Sequence, residues 1–196
     1  MSNLVISAVE GIVDEAVVLR LFDELNIKAG TVYGKNGKPK LKERISAWNK
    51  AAQHQTWLVL TDLDNDQCAP TLISEWLSRP AKFMNLRVAV RSIEAWLLAD
   101  KARIADFFRI NKSTIPDEPD KLSNPKTKLI ELIKRSRSTE IKADMLPRPE
   151  GGRQVGPAYS SRMIEFISDK HKGWRPSEAA KNSESLSRCI NALKKN

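Results

Sequence analysis

The first 110 residues of this 196-residue chain alternate between two textures, and that alternation constrains the fold more than any other feature. Short runs at 4–9, 28–33, 56–60 and 86–90 read as strands, and each is followed by a stretch with apolar residues at helical spacing. A short, nearly continuous apolar run is the pattern of a strand covered on both faces. A helix between successive strands returns the chain to the end at which it started, so the strands run parallel with helices on the faces of the sheet. The first helical stripe is Val13, Val17, Leu21 and Leu25, with Val18 and Phe22 beside it. Asp14 and Glu15 lie in its first turn, where the helix N-terminus favours negative charge. The second stripe is Leu41, Ile45, Trp48 and Ala52, and the third, opened by Pro70, carries Leu72, Ile73, Trp76 and Leu77. From Ile93 to about Phe108 the apolar density predicts a mostly buried helix.

Beyond Arg109 the texture changes. Pro116, Pro119, Pro125, Pro147 and Pro149 punctuate a polar stretch with one helix predicted over 126–135. Residues 150–153 read as a loop. Two terminal helices follow, one through Met163, Ile164 and Ile167, the other through Leu186, Ile190 and Leu193. The chain therefore divides into an α/β core over 1–110, built on a four-stranded, mainly parallel sheet, and a helical extension over 111–196. The extension has apolar stripes to bury and is expected to pack on the core. Hydrophobic residues make up 41% of the chain, enough for an ordinary interior. No stretch reaches the roughly 18 apolar residues of a membrane span. Met1-Ser2-Asn3 leads straight into an apolar strand without the marks of a secretory signal. Cys68 and Cys189 are too few and too far apart for a disulfide framework or a structural zinc site. A cytoplasmic address follows as the expectation.

The candidate chemistry lies at the strand ends. In open parallel sheets ligands bind beyond the C-terminal ends of the strands. Glu10 ends the first strand, Asp62 the third, and Glu94 follows the fourth, so three acidic positions converge on one edge. Asp62 and Asp64 are two apart, and an extended backbone would point both to the same side. Grouped carboxylates repel one another, and a hard divalent cation such as Mg²⁺ resolves the repulsion. Each residue also has a plainer reading. Asp62-Leu63-Asp64 can be a turn, Asp66 a helix cap, Asp14 a dipole partner for its helix, and Glu94 half of an ion pair with Arg91 or another base. His54 and His171 show neither zinc spacing nor the spacing of a nucleophilic triad. The net charge of +9 favours a polyanionic partner or a solvated basic surface, with Lys35, Lys38, Lys40, Lys42 and Arg44 crowded into ten residues.

Val9-Glu10-Gly11-Ile12-Val13-Asp14 before a helix, and Leu60-Thr61-Asp62-Leu63-Asp64 after a later strand, resemble the Toprim domain of topoisomerases, bacterial primases and OLD-type nucleases. Residues 91–100, Arg-Ser-Ile-Glu-Ala-Trp-Leu-Leu-Ala-Asp, sharpen the likeness toward uncharacterised bacterial Toprim-like proteins often encoded beside AAA/ABC-type ATPases and suspected in defence against phage. Gly156-Pro157-Ala158-Tyr159 and Trp174-Arg175-Pro176-Ser177 fit the same group. The resemblance implies a Rossmann-like sheet and Mg²⁺- or Mn²⁺-dependent nuclease activity on nucleic acid, DNA first. It implies Asp62 and Asp64 as metal ligands, Glu10 as ligand or general acid/base, and Asp14 and Glu94 as further metal-site members. Lys35, Lys38, Arg91 and Arg153 are the candidates for holding the phosphate backbone. An ATPase partner, a homo-oligomer and a catalytically silent regulatory role are compatible with it. No residue is assigned as the catalytic lysine of the nuclease branch. A phosphatase of the haloacid dehalogenase type is disfavoured because its DxD pair follows the first strand, not the third.

Overall fold

The computed structural model describes residues 4–150 and 152–195. The expectations for Met1-Ser2-Asn3 and for Gly151 lie outside the described residues. Four strands, β1 (Leu4–Val9), β2 (Lys28–Gly34), β3 (Thr56–Asp62) and β4 (Met84–Ala89), form one sheet in the order β2-β1-β3-β4. Every pairing is parallel, so the sheet is wholly rather than mainly parallel. From β1 the chain first moves to one side, to β2, and then crosses back to β3 on the other side. That reversal opens a crevice between the C-terminal ends of β1 and β3, the place where such sheets hold ligands.

The alternation of side chains across β3 assigns the two faces. Leu58 and Leu60 join α1 (Ile12–Glu24) in one apolar cluster. Trp57 and Val59 join α2 (Lys38–Ala51) in the other. The short helix α3 (Ala69–Trp76) covers the same side as α2 near β4, with Leu63, Leu72 and Val88 in a small cluster of their own. Beyond β4 the predicted single helix is broken in two, α4 (Ile93–Ala99) and α5 (Lys101–Phe108). Asp100 divides them: its φ/ψ of −87°/70° leaves the helical region, and its carboxylate accepts from the Arg103 amide to cap α5.

The extension contributes α6 (Pro125–Lys134), α7 (Thr139–Met145), α8 (Tyr159–Ser168), α9 (Pro176–Ala179) and α10 (Glu184–Leu193). Their apolar faces enter the α1 cluster rather than forming a second core, with Leu129, Ile133, Met163, Phe166, Leu186 and Ile190 all buried there. Polar ties reinforce the docking. The Trp174 indole donates to the Trp96 carbonyl at 3.1 Å, and the Trp96 indole donates to Ser185 Oγ at 2.7 Å. Arg175 clamps the buried Asp100 carboxylate through its backbone amide, Nε and Nη2 at 3.1, 2.9 and 2.7 Å. Residues 4–110 and the extension therefore share one core, and α6 is placed beside α4 where it borders the acidic crevice. Among the described residues no helix is long and apolar enough to cross a membrane.

Candidate functional site

Four carboxyl groups meet at the crevice. Glu10 leaves β1 and turns toward β3, where its Oε1 accepts from the Thr61 hydroxyl and from the Asp62 amide at 2.8 Å. Asp62 closes β3, and its Oδ1 accepts from the Ile93 amide at 3.0 Å, binding the strand end to the start of α4. Glu94 sits one residue further along α4 and is only 3% exposed. Its Oε2 accepts from Ser92 Oγ at 2.6 Å and its Oε1 from the Tyr159 hydroxyl at 3.1 Å. Asp14, in the first turn of α1, is 7% exposed, and its Oδ1 is buried with no hydrogen-bond partner.

The electrostatics follow from burial and crowding. Burial, then the neighbouring Glu10 carboxylate, push Asp14 up to about 7. Burial, with Asp14, Glu94 and Glu10 around it, holds Asp62 well above the ordinary aspartate range. Burial also raises Glu10, although Thr61 and the Asp62 amide pull the other way. The Tyr159 phenol is raised by its burial and by the adjacent Glu94. All of these shifts have burial as their first cause, with the crowding of like charges added to it.

The backbone around Glu10 is fixed by the loop after β2. The Lys35 amide donates to Val9 O at 2.9 Å and the Gly37 amide to Glu10 O at 3.0 Å. Gly34 makes this possible with φ +92°, and a Cβ there would lie 2.2 Å from Val9 O. Gly11 is similarly confined, since a Cβ would stand 3.2 Å from Asp14 Oδ2.

Asp64 is placed differently from the other acids. It lies beyond β3 in a turn with φ +51°, so the extended geometry that would align it with Asp62 is absent. Its exposed carboxylate pairs with Lys38 at 3.1 Å, and Asp66 pairs with the same ammonium at 2.7 Å. Lys38 also donates to the Asp62 and Leu63 carbonyls at 2.7 and 3.2 Å. Lys38 thus holds the turn after β3 together, and Asp66 serves that lysine rather than capping α3, whose N-cap is Cys68. Asp64 still lines a cleft of about 210 Å³ that reaches Asp62 and Glu94 but not Glu10 or Asp14, and its other walls include Arg91, Asn124, Lys126 and Gln154.

Of the four basic candidates, Arg91 lines that cleft, with its Nη1 donating to the Asp64 and Asp66 carbonyls at 3.0 and 2.9 Å. Lys35 is engaged with Glu15 at 3.0 Å and is not among the cleft residues. Arg153 is exposed, next to Gln154 on the cleft wall. The cation that meets the acids is one that sequence reading passes over: Lys126 Nζ pairs with Glu94 Oε1 at 3.2 Å. Burial pulls Lys126 down, but Glu94, with Asp62 and Asp14 behind it, holds it above the usual lysine value. Lys126 is the second residue of α6, where Asn124 caps the helix by accepting from the Thr127 amide and Pro125 opens it.

The donor set suits a hard divalent ion: the groups are carboxylates, one oxygen is buried and unpartnered, and their mutual repulsion needs a cation. Among the described residues no three His, Cys, Asp or Glu side chains form a ready-made cage for a metal ion. No family model, no curated protein and no solved structure matches the chain.

Proposed function

We propose that the chain is a Mg²⁺- or Mn²⁺-dependent phosphodiester hydrolase acting on nucleic acid. The observation that carries the reading is the group of half-buried Glu10 and Asp62 with buried Asp14 and Glu94 at the crevice between β1 and β3, with the unpartnered Asp14 oxygen inside it. Asp62 and Glu10 are the residues that would hold the ion, with Asp14 behind them. A bound divalent cation supplies a polarised phosphoryl oxygen and a more acidic water.

The chain's own groups take the remaining roles. Lys126 stays protonated through the physiological range and therefore acts as fixed positive charge facing a phosphate oxygen, not as a base. Tyr159 and Ser92 hold the Glu94 carboxylate, which in turn orients Lys126. Without the ion Asp14 holds its proton until about pH 7, and a cation bound beside it would displace that proton. Arg91 stands where the substrate backbone would enter the cleft. Incubating the protein with plasmid, single-stranded DNA and tRNA, with Mn²⁺, Mg²⁺ or EDTA, is the direct trial. Metal-dependent cleavage lost in Asp62→Ala supports the reading, and intact nucleic acid in every lane sinks it.

One observation favours a second reading, a regulatory subunit of an ATPase complex. Ile12 and Leu19 are exposed apolar residues on α1, bordering a groove of about 370 Å³ shared with Ile164 of α8. Normal biological activity of an Asp62→Ala/Asp64→Ala double variant would select this reading over the nuclease.

A further inference from the structure

The sequence offers the acidic crevice five carboxylates, Glu10, Asp14, Asp62, Asp64 and Glu94, a number that could serve two divalent ions. Sites built on two ions hold them about 3.5–4 Å apart, so each ion needs carboxylate oxygens of its own besides any that are shared. The structure divides the five residues into two sets. Asp64 and Glu94 are each ion-paired with a lysine, Lys38 and Lys126 respectively. Glu10, Asp14 and Asp62 gather where β1 and β3 end and α1 begins, and the buried, unpartnered Asp14 oxygen belongs to this second set.

Glu94 is the most buried of the five, at 3% exposure. Its Oε2 accepts from Ser92 Oγ at 2.6 Å, and its Oε1 accepts from both the Tyr159 hydroxyl at 3.1 Å and Lys126 Nζ at 3.2 Å. An ionised carboxylate has about four acceptor positions, and three of them are filled here. The two hydroxyls belong to buried residues, whereas the Lys126 side chain is half-exposed and stands on the cleft wall. A metal ion reaching Glu94 from the cleft therefore meets the ammonium first. The ammonium is also held from its own side, because Asn124 and Pro125 fix the start of α6 and α6 packs on α4. Its charge is felt past Glu94 by Asp62 and Asp14.

Asp64 is withdrawn from a second ion in a similar way. It is exposed, lies in a left-handed turn, and is tied to a lysine that Asp66 and two carbonyls hold in place. Three carboxylates remain, a set that suits one Mg²⁺ or Mn²⁺ with water completing its shell. We infer that the site takes a single divalent cation, and that the Lys126 ammonium occupies the position on Glu94 that a second cation would take. The chain thus supplies its second positive charge from its own side chain. This count of ions rests on the metal-dependent reading proposed above, and Lys126 is the residue that sets it.

The test counts ions rather than products. Mn²⁺ is titrated into the metal-free full chain by calorimetry, and the bound Mn²⁺ is followed by electron paramagnetic resonance, in which two adjacent ions couple and a single ion does not. The parent should bind one ion per chain with an uncoupled spectrum, and Glu94→Gln should also bind one. Lys126→Ala removes the ammonium and leaves a strong helix former in α6. It should bind two ions with a coupled spectrum, and Lys126→Ala/Glu94→Gln should return to one. Lys126→Ser should behave as Lys126→Ala does, and thermal unfolding confirms that each variant folds. Two ions in the parent, one ion in both folded Lys126 variants, or loss of the ion in Glu94→Gln would overturn the inference and leave the metal-dependent reading standing. No ion bound by the parent in millimolar Mn²⁺ would overturn both.

Discussion

Replacing Asp14 with asparagine should make the metal-free protein more stable at alkaline pH while reducing its response to metal. In the unfolded chain an aspartate releases its proton near 3.8, whereas in the folded protein burial and Glu10 hold the Asp14 proton until about pH 7. Between those values the folded state binds more protons than the unfolded one, so stability falls as pH rises across that window. The contribution is fully present below about 3.8 and gone above about 7. At roughly 1.4 kcal/mol per pH unit, forcing the folded protein to carry this charge costs about 4 kcal/mol. The group is 7% exposed, so solvent screening offers little relief. Asparagine removes the charge but buries an amide with incomplete partners, at about 1–3 kcal/mol. A net gain of about 1–3 kcal/mol at pH 8 remains, which for a chain of this size raises Tm by about 3–8 °C. Thermal unfolding in EDTA at pH 8 and at pH 5 is the assay, repeated with Mn²⁺ in place of the chelator. The asparagine variant should gain over the parent at pH 8, lose that advantage at pH 5, and show a much smaller Mn²⁺-induced rise. An advantage that is absent at pH 8, or the same size at both pH values, would refute the reasoning.

Three further outcomes follow from the same geometry. Lys126→Met should lower nuclease kcat/KM about 100-fold, the size of a lost transition-state charge contact, while leaving Mn²⁺ affinity equal or higher; Lys126→Arg should recover part of the activity. Gly34→Ala should destabilise by about 3 kcal/mol or more, read as a drop in Tm, because it places a Cβ against Val9 O and holds a non-glycine residue at φ +92°. Arg175→Met should cost about 3–5 kcal/mol in chemical denaturation by leaving the buried Asp100 carboxylate without its cation, and Arg175→Lys should recover only part of it because one ammonium cannot reproduce the paired guanidinium contacts.

The parts of this fold that were legible in the sequence are those set by local pattern. The apolar runs at β1, β3 and β4 are buried on both faces, so they carry a continuous signal, and their alternation with helices leaves parallel pairing as the natural arrangement. That Glu10, Asp62 and Glu94 come together at one end of the sheet was legible because Glu10 follows β1, Asp62 ends β3 and Glu94 lies in the first turn of the helix after β4. Asp64 was misplaced by the same local logic: the strand stops at Asp62, and the next turn is bent into the left-handed region around the Lys38 ammonium. The break at Asp100 was hidden because both halves of the helical stripe are apolar, and the partner that fixes Asp100 is Arg175, 75 residues away. Lys126 and Tyr159 were invisible for that reason too. They reach Glu94 only after the extension packs on α4, and one lysine among thirty-three basic residues gives no signal of its own. The Gly156-Pro157-Ala158-Tyr159 segment was the one available pointer, since its tyrosine is the residue that meets the site.

The central claim is that Glu10 and Asp62, with Asp14 behind them, hold a divalent cation, and calorimetric titration of Mn²⁺ into the metal-free protein tests it most directly. Run at pH 6.5 in two buffers of different ionisation enthalpy, it reports both affinity and the protons released. The account predicts saturable binding with net proton release, because burial and Glu10 hold the Asp14 proton until about pH 7 and the arriving ion displaces it. It also predicts that Asp62→Asn weakens the affinity at least tenfold and reduces the proton count. Absence of saturable binding, or binding that is unchanged in Asp62→Asn and releases no proton, would contradict it.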